Sequence, residues 1–271
     1  MKKNLFNLKT WMAILSVLLM VFMASCEKEP VEDRPGLPPA ESLIMDFSDF
    51  QEMPGNRKST ISYEHFTHAF LNVAYWNLFT SVTLALPVTA YGYALQQDPN
   101  YEGNYTWKWV YDFTWGNQTY TAQLTGKRIS NDEFSMEMVI ALKAFPDQGF
   151  KWFDGIVRYD HTHAAWNLYK EVEGQPVKII EVEWNKNFET DEGDITYTYV
   201  EPQQNETGSY IMYEENPGET YDAAYTISLS SGLINIEWNR TTKAGRIKDL
   251  VKFPGTEWNC WDVNLVDMNC P

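Results

Sequence analysis

Apolar and polar residues alternate one by one along most of the chain beyond residue 105. In the run YTWKWVYDFTW, Tyr105, Trp107, Trp109, Tyr111, Phe113 and Trp115 fall on one side, and Thr106, Lys108, Val110, Asp112 and Thr114 on the other. A period of two is that of a strand with one buried face. Gly116-Asn117 signals a tight turn, after which Tyr120, Ala122 and Leu124 carry the pattern back. A third strand is expected with Phe134, Met136, Met138, Ile140 and Leu142 on one face. Similar runs recur to the C-terminus, separated by turn pairs such as Glu173-Gly174, Glu192-Gly193, Pro217-Gly218, Ser231-Gly232 and Ala244-Gly245. Turns this short connect antiparallel neighbours.

The pattern before residue 105 is different. Between His65 and Gln97 there is no Asp, Glu, Lys or Arg. Phe66, Phe70, Val73, Tyr75, Trp76, Leu78, Phe79 and Val82 cover more than one helical stripe, which predicts a helix buried nearly all round. Ser62 is placed to cap its start, and Pro87 to break it, with a second short helix running through Leu95. The segment could span a bilayer by length. Asn72, Asn77, Thr80, Ser81, Thr83 and Pro87 argue instead for burial in protein. Residues 41–60, where Leu43, Met45 and Phe47 alternate with Ile44, Asp46 and Ser48, predict a first strand or a short docked segment.

The expected fold is therefore mainly β: a curved antiparallel meander or partial β-barrel with a buried N-terminal apolar helix in its hollow. One domain is expected over 41–271, with the helical segment at 62–97 and the meander at 105–271.

The amino-terminal segment has another purpose. Lys2, Lys3 and Lys9 precede an apolar run from Trp11 to Met23, followed by the small residues Ala24 and Ser25. This is the layout of a secretory signal over residues 1–25. Met23-Ala24-Ser25-Cys26 resembles a bacterial lipobox, with Met where Leu is usual. The resemblance implies cleavage before Cys26, lipidation of its sulfur and amine, and membrane attachment through several acyl chains. Residues 26–40, acidic and rich in proline, predict an extended tether. Lys28-Glu29 within it resembles the surface-export signal of Bacteroidota lipoproteins, which implies an outer-membrane location with the domain facing outward. Tether, apolar helix and Trp-rich meander together resemble uncharacterised Bacteroidota lipoproteins in layout. The architecture also resembles, remotely, the envelope lipid carriers of the LolA/LolB type, although their helices lie elsewhere in the chain.

Charge and cysteine content narrow the partners. Removing residues 1–25 takes away three lysines and no acid, which moves the net charge from −16 to −19. Such a surface repels phosphate backbones, so nucleic acid is not an expected partner. With Cys26 lipidated, Cys260 and Cys270 remain, as a disulfide in an oxidising compartment or as two thiols.

Candidate chemistry is sparse. There is no Gly-rich phosphate loop, nucleophile elbow, HExxH or CxxC, and no cofactor motif. His65 and His68 share one face of the helix start, while His161 and His163 share one side of a strand. The four could hold zinc if those elements met. Glu181 and Glu183 point to one side of a strand, a geometry open to a carboxylate pair in glycoside hydrolysis. EVEWN faintly resembles the catalytic strand of β-sandwich glycoside hydrolases, but Asn185 stands where a third carboxylate is expected. Trp258 and Trp261 point to opposite faces, so one is a candidate exposed platform.

Three functions follow as expectations. The first is non-enzymatic binding of an apolar or lipid-like ligand between helix and sheet, walled by Trp107, Trp109, Met136 and Met138. The second is a surface glycan-binding or adhesion module, which needs a solid core and exposed aromatics. The third is a weak glycoside hydrolase.

Overall fold

The computed structural model describes residues 34–51, 61–255 and 257–271. The expected signal segment, Cys26 and residues 27–33 of the tether lie outside them. Fourteen strands form one antiparallel sheet in chain order: β1 (Asn100–Gly103), β2 (Thr106–Trp115), β3 (Gln118–Arg128), β4 (Glu133–Leu142), β5 (Phe150–Arg158), β6 (His163–Val172), β7 (Gln175–Lys186), β8 (Gly193–Tyr199), β9 (Tyr210–Glu215), β10 (Ala223–Leu229), β11 (Gly232–Trp238), β12 (Gly245–Lys248), β13 (Asn259–Trp261) and β14 (Asp267–Met268). The sheet does not close, and β1 and β14 are its edges.

Alternation fixes the register. One inward row runs across seven strands through Trp109, Leu124, Met138, Phe153, Leu168, Ile180 and Tyr199. The adjacent row pairs large residues with glycine: Trp107 faces Gly126, and Gly155 faces Trp166. A Cβ on Gly155 would lie 2.4 Å from the Ala165 carbonyl oxygen and 2.5 Å from the Trp166 ring. That position therefore admits no side chain. Register shifts at Met138/Val139 and Leu168/Tyr169 mark bulges, which bend a sheet and increase its twist. The β6–β7 turn at Glu173-Gly174 has φ 51° and 77°, the left-handed pair that a two-residue hairpin requires.

The hollow of the sheet holds two pieces. One is the segment from Arg34 to Gln51, with 3₁₀ turns at Ala40–Ser42 and Ser48–Phe50 and with Leu43, Met45, Phe47 and Phe50 buried. It is a docked segment rather than a strand, so its backbone must find partners outside a ladder. Buried strand aromatics supply several of them. Trp166 Nε1 donates to the Ser42 carbonyl at 2.9 Å, and Tyr197 Oη donates to the Leu43 carbonyl at 2.7 Å. Tyr197 Oη also accepts from the Met45 amide at 2.7 Å, and Tyr225 donates to the Asp46 carbonyl. Each bond satisfies an aromatic polar tip and a backbone group at once. The packed chain also begins earlier than the predicted tether boundary at residue 40. Residues 34–40 belong to the compact unit, where the Pro38 carbonyl accepts from Tyr91 Oη at 2.7 Å.

The second piece is helix α1, Glu64–Ala94. Its start meets β12–β14 and its end meets β2 and β3. Phe66 packs edge-on to Trp261, and Tyr91 to Phe153 and Trp166. Pro87 does not break the helix; it sits buried inside it. A helical proline costs about 3 kcal/mol. Burial of Leu84, Leu86, Ala90 and Tyr91 around it holds the helix continuous. The expectation of burial all round is also corrected. One stripe of α1 is buried, while Leu71, Tyr75, Leu78 and Val82 are 57–75% exposed.

Candidate functional site

The residues expected to wall a ligand cavity are core. Trp107, Trp109, Met136 and Met138 are 0–2% exposed and belong to one continuous apolar cluster. Trp109 lies over Gly126, within 3.3 Å of where a Cβ there would stand. These four side chains are packed in the core, and the open volume between helix and sheet lies elsewhere, a cavity of about 600 Å³ lined by Ile44, Met45, Leu84, Val88 and Tyr197.

The four histidines are not brought together as a metal site. His65 Nδ1 bonds the Cys260 carbonyl at 2.8 Å, and His68 Nε2 bonds Asp249 at 2.7 Å. The Phe253 ring meets both imidazoles edge-on at 5.4 and 5.5 Å. His161 bonds the Gly36 carbonyl at 3.0 Å, and His163 bonds Asn185 at 2.8 Å. Helix α1 begins beside β12–β14 whereas His163 opens β6, which is why the same-face pairs do not converge. Among the described residues no group of three or more His, Cys, Asp or Glu is placed to hold a metal.

The start of α1 is capped from the far end of the chain, not by Ser62. Asp267 on β14 accepts from the backbone amides of Glu64 and His65, both at 2.9 Å. Ser62 instead donates its hydroxyl to Asp267. The Cys260–Cys270 disulfide, with 5.1 Å between Cα atoms, holds the β13–β14 hairpin that carries this cap. This end of α1 is a structural joint.

Glu181 and Glu183 line a groove of about 640 Å³ on the outer face of the sheet, with Glu137, Asp154, Thr196 and Thr198. Lys178 pairs with Glu181. Burial raises the Asp154 carboxyl, but hydrogen bonds from Lys151, Asn167 and Tyr169 outweigh it and hold the group below the usual carboxylate range. An anion held ionised in this way is a poor general acid. Trp261 is buried with its Nε1 bonded to the Lys243 carbonyl at 2.7 Å, while Trp258 carries the Arg246 guanidinium 4.1 Å over its ring. The platform expected here is already covered by Arg246.

A different cleft has the makings of a ligand site. It measures about 460 Å³ and lies between the middle of α1, the end of β8 and the loop 200–209. Helix residues Tyr75, Trp76 and Phe79 form one wall, Tyr199 and Leu229 another. Phe79 meets Tyr199 edge-on at 5.5 Å. Asn72, Gln204, Asn205, Glu206 and Ser209 give the cleft its polar lining. Glu206 accepts from the Ser230 hydroxyl at 2.7 Å, the Ser209 hydroxyl at 2.8 Å and the Ser230 amide at 3.2 Å, bonds that hold its carboxyl below the usual range. Burial, with Glu201 beside it, pushes the Tyr199 phenol up to about 12, so its hydroxyl stays protonated and donates to Glu201 at 2.9 Å. One group is left over. Trp76 is 3% exposed and its Nε1 has no hydrogen-bond acceptor. An unmet buried donor costs about 1–3 kcal/mol. The alternation of strands does not signal this cleft. Its nearest trace in the sequence is Asn72, a polar residue among aromatics in a stretch from His65 to Gln97 that has no Asp, Glu, Lys or Arg.

No family model matches the chain, and neither a curated protein nor a solved structure matches it significantly.

Proposed function

We propose that the chain is a lipid-anchored envelope protein that binds saccharide without chemical turnover, through the cleft at Trp76. The unmet Trp76 donor in an aromatic cleft carries this reading. A sugar ring presents C–H faces that pack on Tyr75 and Phe79, and oxygens that accept from the indole N–H. The side-chain amide of Asn205 lines the cleft within reach of its hydroxyls, beside Glu206, which is already held by Ser209 and Ser230. A lipid walled by Trp107, Trp109, Met136 and Met138 would need the volume that these buried side chains occupy, whereas the cleft at Trp76 is open. The lipobox-like Met23-Ala24-Ser25-Cys26 supports anchoring at Cys26, and Lys28-Glu29 in the acidic tether supports display on the outer side of the envelope.

The test is titration of neutral and acidic polysaccharides against the wild type and Tyr75→Ala. Tyr75 is 60% exposed, so its truncation leaves stability within about 0.5 kcal/mol. Saccharide affinity should fall about tenfold, equivalent to about 1.4 kcal/mol. Equal affinity in the two proteins would remove the cleft from consideration.

A further inference from the structure

Helix α1 has a second face that the sheet does not account for and that meets the cleft only at Tyr75. Leu71, Tyr75, Leu78 and Val82 follow one another at spacings of four, three and four, which places them on one side of the helix. All four are exposed, Val82 most at 75%. Tyr93, 40% exposed, falls on the same side three turns later. By length and composition α1 could cross a membrane, but its opposite stripe is buried against the sheet. It therefore has an apolar face to lay along a bilayer rather than a body to thread through one.

The charge distribution points the same way. The chain after residue 25 carries a net charge of −19, yet His65 to Gln97 holds no Asp, Glu, Lys or Arg. An uncharged apolar strip in a strongly acidic chain offers a place where contact with lipid costs no burial of charge. The position of the tether completes the argument. The described chain begins at Arg34, which pairs with Asp98 just beyond the end of α1, and Pro38 bonds Tyr91 in its last turn. Arg34 lies eight residue steps beyond Cys26, a reach of at most about 28 Å. An acylated Cys26 thus holds the C-terminal end of α1 near the membrane surface.

We infer that the outer face of α1, centred on Leu78 and Val82, docks on the lipid bilayer that carries the Cys26 anchor. The inference rests on the lipidation reading. The helix lies in the plane of the interface, with Tyr75 and Tyr93 at headgroup level, where amphipathic rings are favoured. The anchor supplies attachment and the helix face supplies orientation.

The test uses the lipoprotein purified from membranes and reconstituted into phosphatidylethanolamine/phosphatidylglycerol vesicles doped with nitroxide-labelled phosphatidylcholine. Acylation occupies Cys26, and Cys260 and Cys270 are bridged. A single engineered cysteine is then the only thiol for an environment-sensitive fluorophore. Val82→Cys reports the helix face, and Val110→Cys, 54% exposed on the outer side of β2, reports the far side. A blue-shifted emission at Val82 that nitroxide lipid quenches several-fold more than at Val110 is the expected result. Water-like emission at both positions, with mass spectrometry showing Cys26 acylated, overturns the docking and leaves the anchor standing. Emission shifted at Val82 but not quenched by nitroxide lipid also overturns it and assigns the face to a second copy of the chain. An unacylated Cys26 removes anchor and docking together.

Discussion

Helix α1 meets the sheet in two contrasting ways. At its start the helix is tied in by several polar contacts: Asp267 takes two backbone amides, His65 bonds a carbonyl, His68 bonds Asp249, and Glu64 pairs with Lys252 at 2.9 Å. Three turns on, at Trp76, the helix faces an open cleft with aromatic walls and a buried donor that has none. A satisfied polar cluster is a joint, since its bonds are spent on holding elements together. An unsatisfied donor on a residue that lines a cleft is the group to test for an acceptor from outside the chain. The comparison assigns stability to one end of α1 and recognition to its middle.

That division can be broken by mutation, and the largest effect belongs to the joint. Removing the Cys260–Cys270 disulfide as Cys260→Ser/Cys270→Ser frees a loop with a sequence separation of 10. On the chain-entropy estimate this costs about 3 kcal/mol. Urea unfolding of variant and wild type measures it, and saccharide affinity at temperatures where both are folded should not change. Asp267→Ala, which strips the charged cap from the helix start, should cost about 2 kcal/mol in the same assay. A loss under about 0.5 kcal/mol would show that water replaces the cap.

At the cleft the pattern should invert. Trp76→Phe removes the unmet donor and some packing, two opposed terms that should leave stability within about 1 kcal/mol. Saccharide affinity should fall about tenfold, measured by calorimetric titration.

The smallest effect is pH-dependent and again belongs to the joint. Burial raises the Asp249 carboxyl, but bonds from His68 and from the Lys252 and Val251 amides leave it below its ordinary value. A carboxyl depressed in the folded state stabilises above its unfolded pKa, about 3.9 for Asp, and loses that contribution as pH falls through the folded value. Asp249→Asn should therefore destabilise near pH 7 and progressively less below about pH 4. A penalty independent of pH would remove the charge of Asp249 from the explanation.

The sheet was legible in the sequence because strand alternation states which face is buried. Trp107, Trp109, Met136 and Met138 fall inward as their period requires. The same period could not say whether the inside is hollow, which depends on how far the sheet curls and on what enters it. The segment 34–51 enters it, drawn in by Trp and Tyr tips that needed acceptors. The helix was legible as a helix but not in its exposure, because residues apolar all round carry no phase. Leu78 and Val82 read as core and are outside. Pro87 and Ser62 were misjudged for one reason: local rules for breaking and capping were overridden by tertiary partners, the packing around Ala90 and Tyr91 and the carboxylate of Asp267. The cleft at Trp76 joins residues more than 100 positions apart, such as Asn72 and Tyr199, and left almost no local trace.

The most direct test is nuclear magnetic resonance of the indole N–H groups in protein labelled with ¹⁵N-tryptophan, titrated with soluble oligosaccharides. The Trp76 signal, assigned by its loss in Trp76→Phe, should move on binding as its proton gains an acceptor, while the signals of Trp166 and Trp238, already bonded to Ser42 and Asp49, stay in place. A saccharide that binds while the Trp76 signal stays fixed would contradict the assignment of recognition to this cleft, as would a set of indole signals that no saccharide moves.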